Sequence, residues 1–342
     1  MEANTFPPDL PLQASSIGHA VVKMEPILKI PLQQIDLSDE TFSVNFRPDL
    51  ERLRSSIKEV GVIHPVVLRK KREAYQIVSG FRRIWLAREL GVPEIEARVF
   101  GQEEDDIRLF SISLHENLTT RGFNIVETAL ALDNLIHRFW IDPAVVIKTF
   151  LPLFSLETSE KILNTYLSLA RMEDEVKRYV LEQKVSRTNI RKLSSLVPED
   201  RRVVLRLLSP LKLGENSLRE VLTLLEEITR RDRLKLMEIV DRREIQAILS
   251  HQELTPSQRT ERVKMVLMDL RYPRRQRLEQ IFEEKRKALN LPPGISVHHQ
   301  PHFEGKGLTI ELRFETLEEY RALLKSLSAL VEKDGLKEML SE

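Results

Sequence analysis

The chain has 342 residues, and its 53 Lys and Arg nearly balance its 52 Asp and Glu, so the net charge of +1 neither favours nor excludes a nucleic-acid partner. It has no cysteine, which excludes disulfides, thiolate metal sites and cysteine nucleophiles and fits a cytoplasmic protein. No apolar run is long enough to span a bilayer and the first residues lack the pattern of a signal peptide, so we expect no membrane partner.

The length predicts two or three domains, and few glycines and aromatic residues favour a mostly helical α+β protein. Shifts in pattern along the chain predict the following segments: a flexible tail at 1–24, a small α/β domain at 25–122, an all-helical domain at 123–270, a basic helical linker at 271–290 and a β-β-α unit at 291–342. A β-β-α unit this small buries little surface alone, so we expect it to form a dimer.

Within the α/β segment, short apolar runs alternate with helical patterns. One helix is predicted to begin at Pro48 and end at Gly61, and a second to follow Gly80 and end at Gly91. The predicted strands cover 27–37, 65–69, 74–78 and 94–99.

The turn between the third of these strands and the second helix combines Ser79, Gly80, Arg82 and Arg83. A helix N-terminus offers unpaired N–H groups and a positive dipole end, so it binds anions. Gly80 permits close backbone approach, and the two arginines add bidentate phosphate donors. From these residues alone, a surface helix start with two solvated arginines is the simpler alternative.

A second motif lies where the α/β segment meets the helical segment. Glu116 and Asn117 offer the hard oxygen ligands that suit Mg²⁺ beside a phosphate, and Arg121 can neutralise phosphate charge. The alternative is an ordinary helix C-terminus followed by a capped loop, since Asn124 can cap the next helix.

Taken in order, four segments resemble the ParB-type partition family, whose N-terminal domain has a sulfiredoxin-like fold. They are N-F-R-P at 45–48, S-I-K-E-V-G-V-I-H-P at 56–65, G-F-R-R-I-W-L-A at 80–87 and E-N-L-T-T-R at 116–121. The resemblance covers 25 to about 135 and continues more weakly through 164–193.

The resemblance implies a homodimer that binds CTP with Mg²⁺ and closes into a clamp that slides on double-stranded DNA. It also implies a ParA-type ATPase partner, a role in chromosome or plasmid segregation, and a place on the nucleoid in the cytoplasm. Carried over by position, the nucleotide-binding residues are Arg47, His64, Pro65, Ser79, Gly80, Arg82, Arg83, Glu116, Asn117 and Arg121. Of these, Glu116 and Asn117 would ligate Mg²⁺.

DNA contacts are predicted in two places. The helix-turn-helix of the family is degenerate here, because Glu160 stands where Arg is usual and would repel phosphate. In the predicted recognition helix, 157–170, the residues that can reach a groove are Lys161 and Asn164. A basic cluster follows, for which an ordinary solvated helix face is the alternative, and its members are Lys184, Arg187, Asn189, Arg191 and Lys192.

Two further departures from the family affect chemistry. Phe81 replaces a Glu associated with hydrolysis, so we expect CTP binding to survive better than turnover and leave open whether the chain is a slow CTPase. Trp85 replaces an Arg, and it can pack in the core or stack on a base.

Other function classes remain open. A nucleotide-independent DNA-binding regulator or structural adaptor is favoured by Phe81 and by the degenerate helix-turn-helix. Sulfiredoxin chemistry needs a cysteine, and the chain has none. A metal site at His298, His299 and His302 is disfavoured, because a strand places the first two on opposite faces.

Overall fold

The computed structural model describes residues 26–299 and 307–331, and the chain divides after Arg201 into two compact units. The first unit contains a mixed sheet and a set of helices. Its strands are β1 (Ile27–Pro31), β2 (Ile35–Asp36), β3 (Val66–Lys71), β4 (Ala74–Ser79) and β5 (Glu94–Phe100). Its helices are α1 (Glu51–Val60), α2 (Phe81–Glu89), α3 (Asp106–Thr120), α4 (Ile125–Asp133), α5 (Pro143–Val145), α6 (Leu151–Leu153), α7 (Glu160–Ala170), α8 (Asp174–Glu182) and α9 (Arg187–Ser194).

The five strands form one sheet in the order β1-β5-β3-β4-β2. β3 and β4 form an antiparallel hairpin, β1 pairs antiparallel with β5, and β3 runs parallel to β5. The apolar side chains of the central strands, Val66, Leu68 and Ile77, are fully buried. All four predicted strand regions are confirmed, although 27–37 is interrupted by a 3₁₀ turn at Leu32–Gln34.

The helix predicted from Pro48 begins later, at Glu51, and ends at Gly61 as predicted. The Asp49 carboxylate accepts a hydrogen bond from the Glu51 N–H at 3.1 Å, and Arg47 adopts a positive φ of 42° that a helix cannot contain. The segment before α1 is therefore an irregular connection, and Arg47 lies within it.

Several helices after α3 begin at side-chain caps. Asn124 caps α4 in a capping box with Glu127, as the sequence predicts for Asn124. Ser159 precedes α7, so the predicted recognition helix begins at Glu160 and not at 157, and Ser186 caps α9. π-helical turns at Asn134–Arg138 and Val146–Phe150 connect α4, α5 and α6. α4 packs against α7 and α8, and α7 packs against α9.

The second unit is helical up to a β-β-α segment. Its elements are α10 (Pro198–Leu208, in which the division falls), α11 (Glu215–Asp232), α12 (Leu236–Val240), α13 (Arg243–Ser250), α14 (Pro256–Arg271), α15 (Pro273–Ala288), β6 (Ile295–His299), β7 (Leu308–Leu312) and α16 (Leu317–Val331). The predicted β-β-α elements are confirmed, and β6 pairs antiparallel with β7. Within the described ranges, no helix combines the length and apolarity needed to cross a bilayer.

The division after Arg201 falls inside the single helical segment predicted at 123–270. The predicted boundaries near 122, 270 and 290 remain predictions. The tail predicted at 1–24 lies outside the described residues.

A polar network fastens the loop after β2 to the sheet. The Asp39 carboxylate accepts hydrogen bonds from Lys71 Nζ at 2.7 Å, Gln76 Nε2 at 2.8 Å and the Thr41 N–H at 3.0 Å. Gln76 in turn accepts from Arg69 Nε at 2.8 Å. Burial opposes ionisation of Asp39, but the hydrogen bonds outweigh it and lower the pKa of this carboxyl well below its usual value.

The Asp39 network predicts acid sensitivity of the first unit. Because the pKa is lowered on folding, the stabilisation is fully present above the unfolded value of 3.8 and is lost as pH falls through and below it. Asp39→Asn should therefore lower the free energy of unfolding at pH 7 and flatten its decline between roughly pH 5 and pH 2. Urea unfolding across that range measures both effects, and equal pH slopes in the two proteins would contradict the assignment.

Candidate functional site

The N-terminus of α2 approaches the central strand β3 very closely. Gly80 precedes the helix with a φ of 100°, and a Cβ added there would lie 2.6 Å from Cγ1 of the fully buried Val66. A side chain at position 80 would clash and would also adopt a strained backbone conformation. Glycine is therefore required for the turn that places Arg82 and Arg83 in the first turn of α2.

Arg83 joins three parts of the first unit. Its guanidinium pairs with Glu116 Oε1 at 2.5 Å and donates to the backbone carbonyls of His64 at 2.9 Å and Pro65 at 3.2 Å. The side chain is 15% exposed, so its N–H groups lie close to solvent without being fully solvated. Arg83 is thus held by α3 and by the loop that leads into β3, and the solvated-arginine alternative is wrong for it.

Glu116 and Asn117 lie on the face of α3 that meets β4. Ser79 Oγ donates to Glu116 Oε2 at 2.6 Å, and Asn117 Nδ2 donates to the Ser113 carbonyl at 2.8 Å. Arg121 Nε donates to Asn117 Oδ1 at 2.9 Å. The two motifs therefore lie side by side, because Arg83 of the first contacts Glu116 of the second directly.

Arg82 and Arg121 meet at a residue that the sequence analysis missed, Glu127. Arg82 Nη2 pairs with Glu127 Oε1 at 2.5 Å, and Arg121 Nη1 pairs with Glu127 Oε2 at 2.7 Å. Arg82 also donates from Nε to Asn45 Oδ1 at 2.7 Å. The Glu127 side chain is 1% exposed. An available signal was the pattern Asn124-x-x-Glu127 before an apolar run, which is a capping box.

Cationic groups outnumber anionic groups around these contacts. Arg82, Arg83 and Arg121 pair with Glu116 and Glu127, so three positive charges against two negative ones leave a net charge of +1. Burial and then the charge of Arg121 lower the pKa of Arg82, against the opposing effect of Glu127. An excess of arginine at a helix N-terminus favours a polyanion such as a phosphate chain.

Arg47 and His64 relate to this site differently from the other predicted residues. Both are exposed, and Arg47 makes no hydrogen bond or ion pair with another described residue. His64 contributes its backbone carbonyl to Arg83. Arg121, the last residue of the E-N-L-T-T-R segment, reaches both Asn117 and Glu127.

The oxygens that could ligate Mg²⁺ are engaged within the chain. The two Glu116 oxygens accept from Arg83 and Ser79, and Asn117 Oδ1 accepts from Arg121. Over the described ranges, no cluster of three or more His, Asp or Glu is arranged to hold a metal ion. A Mg²⁺ ion at Glu116 and Asn117 would therefore depend on phosphate oxygens and water for its other ligands.

Phe81 and Trp85 lie beside the site without adding a polar group to it. Phe81 is 5% exposed and meets the half-buried Trp85 edge-on, with ring centroids 6.2 Å apart. This contact supports core packing, the first of the two roles considered for Trp85. Phe81 thus contributes apolar packing, whereas a Glu at position 81 could act as a base.

The predicted DNA contacts lie on α7 and α9. Lys161 and Asn164 are exposed on α7, Arg187 is exposed at the start of α9, and Lys184 is exposed before it with a φ of 50°. Arg191 and Lys192 are half-buried on α9.

The predicted DNA contact of Asn189 is wrong. It is fully buried beside Ile190 and Leu193 in the interior-facing part of α9, so its side chain cannot reach DNA in this structure.

The histidines of the β-β-α segment point to separate partners. His298 Nε2 lies 3.7 Å from Glu311 Oε2. The ring of His299 instead meets the ring of Phe282 edge-on, with ring centroids 4.9 Å apart. This agrees with the expectation that the two occupy opposite faces of a strand. His302 lies outside the described residues.

Comparisons with known proteins match the part of the chain that carries most of the site. Residues 19–118 match the family model of the ParB N-terminal domain. A nucleoid occlusion protein of Halalkalibacterium halodurans is 27% identical over 175 residues, covering 51% of this chain and 59% of that protein. A probable plasmid-partitioning protein ParB of Thermus thermophilus is 38% identical over 84 residues, covering 25% of this chain and 28% of that protein. The matched region thus spans less than two thirds of either relative.

Among solved structures, a C-terminally truncated chromosome-partitioning protein ParB from Caulobacter crescentus, complexed with CTP-gamma-S, aligns with 23% sequence identity and a TM-score of 0.25. The alignment covers 51% of this chain and 94% of that one.

Proposed function

Because the chain carries a ParB N-terminal domain at residues 19–118, we propose that it is a CTP-gated, ParB-type DNA-binding protein that acts in chromosome or plasmid segregation. The observation that carries the proposal is the convergence of Arg82, Arg83 and Arg121 with Glu116, Asn117 and Glu127 at the N-terminus of α2. A ParA-type ATPase partner and a place on the nucleoid belong to the same proposal.

Each polar group of the site has a role in holding a nucleotide. The N-terminus of α2 and the guanidinium groups of Arg82 and Arg83 bind the triphosphate, because both supply N–H donors to anionic oxygens. Gly80 allows the tight turn that presents this helix N-terminus. Glu116 and Asn117 ligate Mg²⁺ together with phosphate oxygens, and the loop that contains His64 and Pro65 lines the rest of the pocket.

Hydrolysis is expected to be slow or absent. Phe81 is buried against Trp85, so position 81 offers no carboxylate that could activate water. CTP binding does not depend on hydrolysis in this proposal, because binding needs only the N–H donors of the α2 N-terminus and of the arginines.

DNA would contact the exposed basic residues on α7, at the start of α9 and in the turn before it. Lys161, Lys184 and Arg187 contribute phosphate contacts that do not depend on sequence, whereas Asn164 can read a base edge. α4 packs against α7, so one helix joins the nucleotide site to the helix proposed to meet DNA.

A nucleotide-independent DNA-binding adaptor is the second candidate. It is favoured by one observation: Glu116 and Glu127 already satisfy Arg83, Arg82 and Arg121 within the chain, as a purely structural network would. Such a protein would bind DNA equally with and without nucleotide.

Cross-linking of the purified protein across a panel of nucleotides separates the two candidates. With DNA from its own locus and Mg²⁺, CTP should increase the yield of cross-linked first units, and ATP, GTP and UTP should not. Equal yields in all samples would favour the adaptor.

The C-terminal segment predicts the oligomeric state. α16 and the connection between β7 and α16 present apolar side chains to solvent, with Leu317 65%, Phe314 49% and Leu324 38% exposed. Burying such a face between two copies is the natural way for a small β-β-α unit to complete its core. Leu324→Asp should therefore convert a dimer to a monomer by sedimentation velocity, while Lys325→Ala, on another face of α16, should not. A wild-type monomer would contradict the assignment.

A further inference from the structure

The buried carboxylate of Glu127 occupies the donors that a phosphate chain would use. Its two oxygens are divided between Arg82 and Arg121, and Oε1 also accepts from the Phe46 N–H at 3.4 Å. Glu127 is therefore an internal anion at the centre of a cationic site. We propose that Glu127 competes with nucleotide phosphates for Arg82 and Arg121, and that nucleotide binding consequently releases the first turn of α4.

Competition follows from geometry and charge. A phosphate that takes the Nη donors of Arg82 must approach the Glu127 carboxylate closely, and two anions at that distance repel strongly in a half-buried environment. The triphosphate carries more negative charge than one carboxylate and forms several charge-assisted hydrogen bonds at once. The triphosphate therefore displaces the Glu127 carboxylate from Arg82 and Arg121.

Displacement of Glu127 has a structural consequence because this residue also caps α4. Glu127 Oε2 accepts from the Asn124 N–H at 3.3 Å, while Asn124 Oδ1 accepts from the N–H groups of Val126 and Glu127 at 3.0 and 2.9 Å. Pulling the Glu127 side chain out of this arrangement opens half of the capping box. Since α4 packs against α7 and α8, the movement begins at a helix that touches both.

The inference rests on the proposed nucleotide function, but different experimental results would contradict the competition and the nucleotide function. Glu127→Gln keeps the size of the side chain and one acceptor oxygen but removes the competing charge. We expect this variant to bind CTP, and inorganic tripolyphosphate as a probe of the phosphate contacts alone, about tenfold more tightly than the wild type. A purely structural ion pair predicts weaker binding, because the arginines would lose their support.

Asn124→Ala is the matched control. It removes the other half of the same capping box and leaves the charge of Glu127 in place, so its CTP affinity should stay within about twofold of the wild type. If the affinity for CTP rose equally in both variants, fraying of α4 and not the charge of Glu127 would set the affinity. That result would overturn the proposal. Circular dichroism of both variants establishes that the helices are retained.

Hydrogen exchange of the wild-type protein gives a readout that does not depend on any variant folding. With CTP and Mg²⁺, amides in the first turn of α4, at 126–129, should exchange faster while those of α2 become protected. Slower exchange in both helices would overturn the proposal. If the wild type binds CTP and Glu127→Gln binds it no more tightly, only the competition fails. If neither protein binds CTP or tripolyphosphate, the nucleotide function fails with it.

Discussion

Replacing Arg83 with alanine is expected to lower the affinity for CTP by at least about 100-fold. The substitution removes the phosphate donors of this guanidinium and its hold on the His64 and Pro65 carbonyls, and it leaves Glu116 without its cation. Charge-assisted hydrogen bonds contribute about 1.5–3 kcal/mol each, so the loss of two accounts for a change of this size. Equilibrium dialysis with labelled CTP measures it.

Arg88→Ala provides the control for this experiment. Arg88 lies on the same helix, α2, and is exposed in its last turn, away from the helix N-terminus. Its removal should change CTP affinity by less than about twofold, because a distant solvated charge is screened. Unchanged affinity in Arg83→Ala would show that the site has been assigned wrongly.

Replacing Gly80 with alanine is expected to produce the largest loss of stability. The position needs a φ of 100°, which costs a non-glycine residue about 1–2 kcal/mol, and the new Cβ would lie 2.6 Å from Val66 Cγ1. Overpacking of this kind costs about 1–3 kcal/mol more. For a unit of this size, the sum corresponds to a fall of about 10 °C in the Tm of the first unit, measured by scanning calorimetry.

Two comparisons make the Gly80 result specific. Gly101→Ala should leave the Tm nearly unchanged, because no atom lies within 4 Å of its added Cβ. The double variant Gly80→Ala with Val66→Ala should be less destabilised than the sum of its parts, because the Val66 methyl groups are the nearest obstacle. Strict additivity would contradict the proposed clash.

The strands and most helices of the first unit were predictable because local residues mark their ends. Gly61, Gly80, Asn124 and Ser186 each supply a backbone conformation or a cap that can be recognised without tertiary information. The convergence of Arg83 with Glu116 was also predictable, but only through the resemblance of four ordered motifs to one family. Composition and spacing alone did not indicate it.

Other features required the folded chain. The start of α1 at Glu51 depends on the positive φ of Arg47, which the sequence does not reveal. The role of Glu127 depends on α4 meeting α2 and the end of α3 in space. Asn189 is different, because it lies four residues before the buried Leu193 and thus on the same helical face, so the helical period itself predicts a core position for it.

The most direct test of the proposed site is a calorimetric titration of the wild-type protein with CTP, CDP and cytidine in the presence of Mg²⁺. If the arginines of α2 and the Glu116–Asn117 pair hold a triphosphate, CTP should bind saturably at one molecule per chain, CDP more weakly, and cytidine not measurably. Absence of saturable CTP binding, or equal affinity for cytidine and CTP, would contradict the account.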